Sequence, residues 1–172
     1  MSLLLKVFAG IAFFRRGPED LPASRFLLVF SLLFYTAGTI ATSSVYAEDA
    51  KQIFLEALAD VSMMLLWYGS LLVIYQRRAR LQQTLTALFG TGALLYLVAF
   101  PVMNWMQHLL DAQTDPQLPT LLMMVILIWS IAVVGQIVHR ALDIRFGLGI
   151  LIGICYFFSS VAVFSFLFGA DS

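Results

Sequence analysis

Glu56 and Asp60 are the residues in this chain best placed to do chemistry. They stand inside an apolar stretch, Ile53 to Tyr75, IFLEALADVSMMLLWYGSLLVIY. Their i, i+4 spacing puts both carboxyls on one helical face, one turn apart. The stretch is long enough to cross a bilayer, which takes about 20 apolar residues. A carboxylate at the centre of a span costs about 2.5–3.5 kcal/mol on insertion scales, so a neighbour, a water-filled cavity or a proton must offset it. Two acids buried together resist double ionisation and share a proton. The chemistry open to such a pair is cation binding, proton relay or reception of a cationic headgroup. The plainer alternative is packing: Glu56 at the interface near Lys51, and Asp60 bonded to hydroxyls of a neighbouring helix.

The elements that position these acids follow from composition. The 172 residues are 61% hydrophobic and 12% charged, with a mean hydropathy of +0.92. Soluble domains are about 45–50% apolar and about 25% charged. The expected fold class is therefore an all-α membrane protein: a bundle of five transmembrane helices preceded by a short interfacial amphipathic helix. The spans fall at about 26–46, 53–75, 84–106, 120–139 and 146–168, joined by short loops, in a membrane domain covering 25–172. Residues 1–24 form the preceding segment. In it Leu3, Leu4, Val7, Phe8, Ile11 and Phe14 share a face that is expected to lie down in the cytoplasmic interface. Gly17, Pro18 and Pro22 end that helix, and Ser24 is placed to cap the next. Pro101 predicts a kink late in the third span.

Charge placement fixes an expected orientation. With the amino terminus cytoplasmic, Lys6, Arg15, Arg16, Arg25, Arg77, Arg78, Arg80, Arg140 and Arg145 are inside and only Lys51 is outside, as the positive-inside rule requires. The carboxyl terminus is then extracytoplasmic, with Asp171 near the surface, and the expected location is a bacterial cytoplasmic membrane. Trp67, Tyr68, Tyr75, Trp105 and Tyr46 read as belt aromatics; Trp129 is mid-span. Cys155, the single cysteine, reads as a small core hydrophobe.

This orientation groups the polar residues. Thr39, Thr42 and Asn104 share the outer leaflet with Glu56 and Asp60, and together predict a polar, acidic cavity open to the outside. Arg77, Arg78, Arg80, His139, Arg140 and Arg145 predict a basic cytoplasmic collar for anionic headgroups or an acidic partner surface; simple orientation signalling explains the same charges. Gly149 and Gly153 form a GxxxG surface for close helix approach, within the chain or between copies. Gly90 and Gly92 offer the same in the third span.

Several classes are excluded. There is no GxSxG, HExxH or P-loop motif. His108 and His139 fall on opposite sides of the membrane, so they cannot ligate one haem, and neither has partners for zinc. No metal or cofactor is expected. The basic residues are too few for nucleic-acid binding.

The layout, with RRGPEDLPAS at Arg15 to Ser24, WSIAVVGQIVHRAL at Trp129 to Leu142 and a glycine-bearing last span, resembles the Yip (Ypt-interacting protein) domain proteins, the bacterial branch above all. The resemblance covers nearly the whole chain and implies five tightly spaced spans. Eukaryotic members are associated with membrane trafficking and small-GTPase partners. This chain lacks their long amino-terminal region and DLYGP-like signature, so no functional residue carries over.

The expected function is non-enzymatic: a protein that organises or assembles a membrane complex, in contact with the lipid bilayer and with another membrane protein or a second copy. The alternative is a small transporter or proton-coupled carrier built on Glu56 and Asp60. A membrane enzyme on lipid or isoprenoid substrates is the third reading.

Overall fold

The computed structural model describes residues 2–47 and 49–168. Asp171 and the loop residue Glu48 lie outside the described residues, as do the side chains of Leu3 and Leu4. Six α-helices follow in order: α1 (Ser2–Ala12), α2 (Arg25–Ser43), α3 (Ala50–Ile74), α4 (Leu81–Asp111), α5 (Gln117–Leu142) and α6 (Phe146–Phe168). Short 3-10 turns at Pro18–Asp20 and Arg78–Arg80 precede α2 and α4. The five helices from α2 on are long and apolar enough to cross a membrane. Their bounds fall within three residues of the expected spans except at the end of α4, and both α4 and α5 overrun the expected limits at both ends.

Helix α4, rather than α3, is the centre of the bundle. It packs on α2, α5, α1 and α3, and every residue from Thr84 to Thr91 is buried. A helix covered all round needs small side chains and satisfied hydroxyls. Thr84, Thr86 and Thr91 donate back to the carbonyls of Arg80, Gln82 and Ala87 at 2.8, 2.7 and 2.6 Å. Gly90 and Gly92 leave room for rings: a Cβ on Gly90 would collide with Phe8, and one on Gly92 would lie 2.6 Å from Tyr35. The helix stays continuous through Pro101.

Helix α1 does not lay its apolar face on lipid. Val7, Phe8 and Ile11 are buried in the same core as α4 and α5, and Ile11 is fully covered. The mid-span Trp129 explains the arrangement: its indole Nε1 donates to the carbonyl of Ala12 at 2.9 Å, and its ring meets Phe13 at 5.5 Å. An amphipathic pattern is the same whether the apolar face meets lipid or protein, and here it meets protein.

Helices α5 and α6 pack through the glycines. A Cβ on Gly149 would run into the carbonyl of Gly135, one on Gly153 would lie 3.4 Å from the carbonyl of Ile131, and one on Gly135 would press on Ile150. The GxxxG surface is thus used within the chain. The opposite face of α6 is open, with Leu151, Phe158 and Phe166 at 54, 65 and 83% exposure. Cys155 lies on this exposed face and not in the core.

Four helices end on a residue with left-handed backbone, Phe14, Gln76, Gln113 and Asp143, at φ 61, 57, 56 and 56°. In each case the next amide reaches back to the third-last helical turn position, as in Arg77 N to Leu72 O at 2.7 Å. This is the Schellman closure usually built with glycine. Ser24 caps α2 as expected, its hydroxyl accepting from Leu27 N at 3.4 Å.

Candidate functional site

A cavity of about 300 Å³ lies between all five long helices. Its one charged lining residue is Asp60; Tyr35, Tyr96 and Tyr156 bring phenols from α2, α4 and α6, and Leu127 and Ser130 line it from α5. The position is deep. At 1.5 Å per residue, Asp60 is about 21 Å along α3 from Ile74 and about 15 Å from Ala50.

The register of α3 puts Asp60 there. Ala57, Met64, Tyr68 and Leu72 form the buried stripe of the helix, at spacings of three to four or seven residues. Asp60 falls on the same stripe. Tyr35 Oη donates to Asp60 Oδ2 at 2.6 Å, within the range for a hydroxyl on a carboxylate. Thr39 Oγ1 is 3.4 Å from the same oxygen and 3.2 Å from the Tyr35 carbonyl. One hydroxyl proton serves one acceptor at a time, so the Tyr35 bond is the constant one. Tyr35 is held in turn by Phe89 and Tyr96, with ring centroids 5.2 Å away in both cases.

Glu56 does not join Asp60. Its Oε2 accepts from Tyr46 at 3.1 Å and its Oε1 from Gln52 Nε2 at 3.0 Å. Since the Tyr46 proton goes to Glu56, the Ser43 hydroxyl, 3.2 Å away, donates to Tyr46. The two acids therefore sit in separate hydrogen-bond sets rather than as a proton-sharing pair. Thr42 bonds the Gly38 and Thr39 carbonyls at 3.0 and 2.9 Å, and Asn104 bonds the Phe100 carbonyl at 3.0 Å. Both are turned onto their own helix. Of the expected outer-leaflet group, the structure brings together Asp60 and Thr39 alone.

The phenols were the missed half of the site. Tyr68 and Trp67, read as belt residues, lie inside against Tyr156, at centroid distances of 5.0 and 6.1 Å. The Tyr68 and Tyr156 hydroxyls and the Trp67 indole nitrogen are buried with no hydrogen-bond partner among the described residues. The available signal was mid-span tyrosine: Tyr35, Tyr96 and Tyr156 each fall near the centre of an apolar run, far from the interfaces where such rings gather.

The basic residues at the other polar region are differently arranged. Arg77 and Arg80 both pair with Asp143, at 2.9 and 3.1 Å, and Arg140 pairs with Glu19 at 2.6 Å. Arg80 also donates to the Arg140 and Ala141 carbonyls at 3.0 and 3.2 Å, closing the end of α5 where unsatisfied carbonyls attract a cation. Arg80 and the neighbouring Arg77 hold the Asp143 carboxyl below its ordinary range. His139 Nδ1–H donates to the Ile144 carbonyl. Gln83 fixes the Leu21 carbonyl at 2.7 Å. These side chains surround an open cleft of about 470 Å³ whose lining carries two arginines and two acids. It is charge-balanced rather than a uniformly basic collar. Arg78 and Arg145 are exposed and form no ion pair among the described residues.

Comparison of the chain with known protein families, with curated proteins and with solved structures finds no match. The five long helices, long and apolar enough to cross a membrane, are compatible with a multi-pass membrane protein. The site within them is an acidic, phenol-lined cavity.

Proposed function

We propose that this protein is a non-enzymatic, multi-pass membrane protein that takes a small molecule into the centre of its bundle, in the manner of a small carrier. The observation that carries the reading is the cavity of about 300 Å³ walled by every long helix and holding one carboxyl group. Pockets for small ligands are apolar with a few convergent polar groups, and they form between the helices of bundles. An intramembrane acid facing such a space is a functional-site hypothesis by default. The basic end lies on the cytoplasmic side of a bacterial membrane in this reading, on the strength of the nine-to-one distribution of basic residues.

The test is thermal stabilisation of the purified protein by a panel of small apolar and charged compounds, with Ser130→Leu as the cavity-filled comparison. Compounds that stabilise the wild type and not Ser130→Leu support the reading. A panel in which nothing raises Tm overturns it.

A second reading, organisation of a membrane complex, is favoured by the open face of α6 with Phe158 and Phe166 at 65 and 83% exposure. The mass of the complex extracted in mild detergent tests it: a stable hetero-complex supports it, and a lone monomer counts against it. Kinship with the Yip proteins stays with this second reading.

A further inference from the structure

Resting on the small-molecule reading above, we infer that the ligand is a lipophilic organic cation, an amine or quaternary ammonium carrying an apolar group, bound between Asp60 and the phenol rings. Three independent features of the cavity point the same way.

The first is charge. Asp60 is the one ionisable acid or base in the lining besides the tyrosines; no lysine, arginine or histidine shares the cavity. Its described partners are hydroxyls, Tyr35 and Thr39, both on Oδ2. A charge held out of water is commonly paired with an opposite charge or a metal, and the half-buried Asp60 has no such partner among the described residues. Among the described residues no cluster of metal-binding side chains exists, so a single carboxyl among rings suits a diffuse organic charge rather than a compact metal ion.

The second is the aromatic lining. Tyr35, Tyr96 and Tyr156 line the cavity with Phe157. The negative face of an aromatic ring attracts a cation within about 6 Å, most strongly where water is excluded, and aromatic cages for quaternary ammonium groups use this attraction. The third is the unsatisfied hydroxyl of Tyr156, buried without a partner in the cavity wall. A buried hydroxyl left alone is costly, and its oxygen can accept from the N–H of a protonated amine. The rest of the wall, Met64, Leu95, Met123 and Ile126, accepts an apolar body. Methionine adapts to variable shapes, which fits a class of ligands better than one rigid compound.

The experiment compares two guests of one shape: benzyltrimethylammonium and its uncharged carbon analogue, neopentylbenzene. Each is titrated calorimetrically into the wild-type protein in lipid nanodiscs, with empty discs as blank, and into Asp60→Asn. The expected result is binding of the cation at least about tenfold tighter than the analogue, a difference that cation–ring and charge contacts readily supply, with the preference lost in Asp60→Asn. Equal or tighter binding of neopentylbenzene by the wild type overturns the cation inference while leaving the small-molecule reading intact. No binding of either guest, with no stabiliser in the wider panel, overturns both. The decisive comparison uses the wild-type chain, so it stands even if Asp60→Asn does not fold.

Discussion

The basic end of the bundle and its central cavity handle charge in opposite ways. At the basic end two acids have their bases: Asp143 takes Arg77 and Arg80, Glu19 takes Arg140, and spare guanidinium protons go to the last carbonyls of α5; Asp20 accepts from the Gly17 amide. The contacts join the Pro18–Asp20 turn, the Arg78–Arg80 turn and the α5–α6 corner. In the cavity a lone carboxyl faces phenols, and one lining hydroxyl, that of Tyr156, has no partner. A satisfied network holds a fold together, whereas an unsatisfied one leaves interactions free for something else to make. The comparison separates residues that hold the architecture from residues that the proposed guest would touch.

The scaffold common to both regions is the first thing to break. Gly149→Leu drives a side chain into the Gly135 carbonyl, backbone that cannot step aside. The expected loss is about 3 kcal/mol or more, at the upper end for overpacking, read as a fall in Tm in detergent and loss of both regions together. Next in size is the contrast between Arg80→Ala and Asp60→Asn. Arg80→Ala removes the α5 cap and half of the Asp143 pairing; because these groups are partly exposed, the expected effect is a modest fall in Tm. Asp60→Asn takes an acid off an apolar wall and leaves Tm unchanged or higher, while the preference for the cationic guest is lost. If Arg80→Ala abolishes binding with Tm intact, or Asp60→Asn unfolds the protein, the division between the regions collapses.

The smallest effect is a pH dependence. Arg80, first by its hydrogen bond, lowers the Asp143 carboxyl. A carboxyl depressed in the folded state contributes stability above its unfolded value of about 3.9, and that contribution disappears as pH falls through the folded value. Asp143→Asn should therefore lower Tm slightly at pH 7, and the gap between variant and wild type should close below about pH 4. A gap that persists at low pH would show that the Asp143 contacts act through geometry rather than charge.

How much of this was legible in the chain depends on whether a feature is local. The five long helices were, because an apolar run declares its own length. Ser24 was, because capping is decided within three residues. The core role of α1 was not: the periodicity of Val7, Phe8 and Ile11 says which face is apolar and nothing about what covers it. The helix ends were also silent, because Phe14, Gln76, Gln113 and Asp143 occupy positions where glycine would have announced the stop. The cavity was half visible. Asp60 stood out as an acid in a span, but its companions Tyr35, Tyr96 and Tyr156 lie on three other helices and meet only through packing. Glu56 looked like its partner because helical spacing reports a shared face. It does not report that Tyr46 and Gln52 reach Glu56 first.

The bond from Trp129 to Ala12 spans 117 residues of sequence. A ribosome adding about 5–20 residues per second needs roughly 6–23 s to cover that distance. For the first part of that interval α1 exists without the surface of α4, and until its end without the surface of α5, that together cover it. The first helix to be made is thus among the last to be seated, and its docking reports that four-fifths of the bundle has been delivered in order.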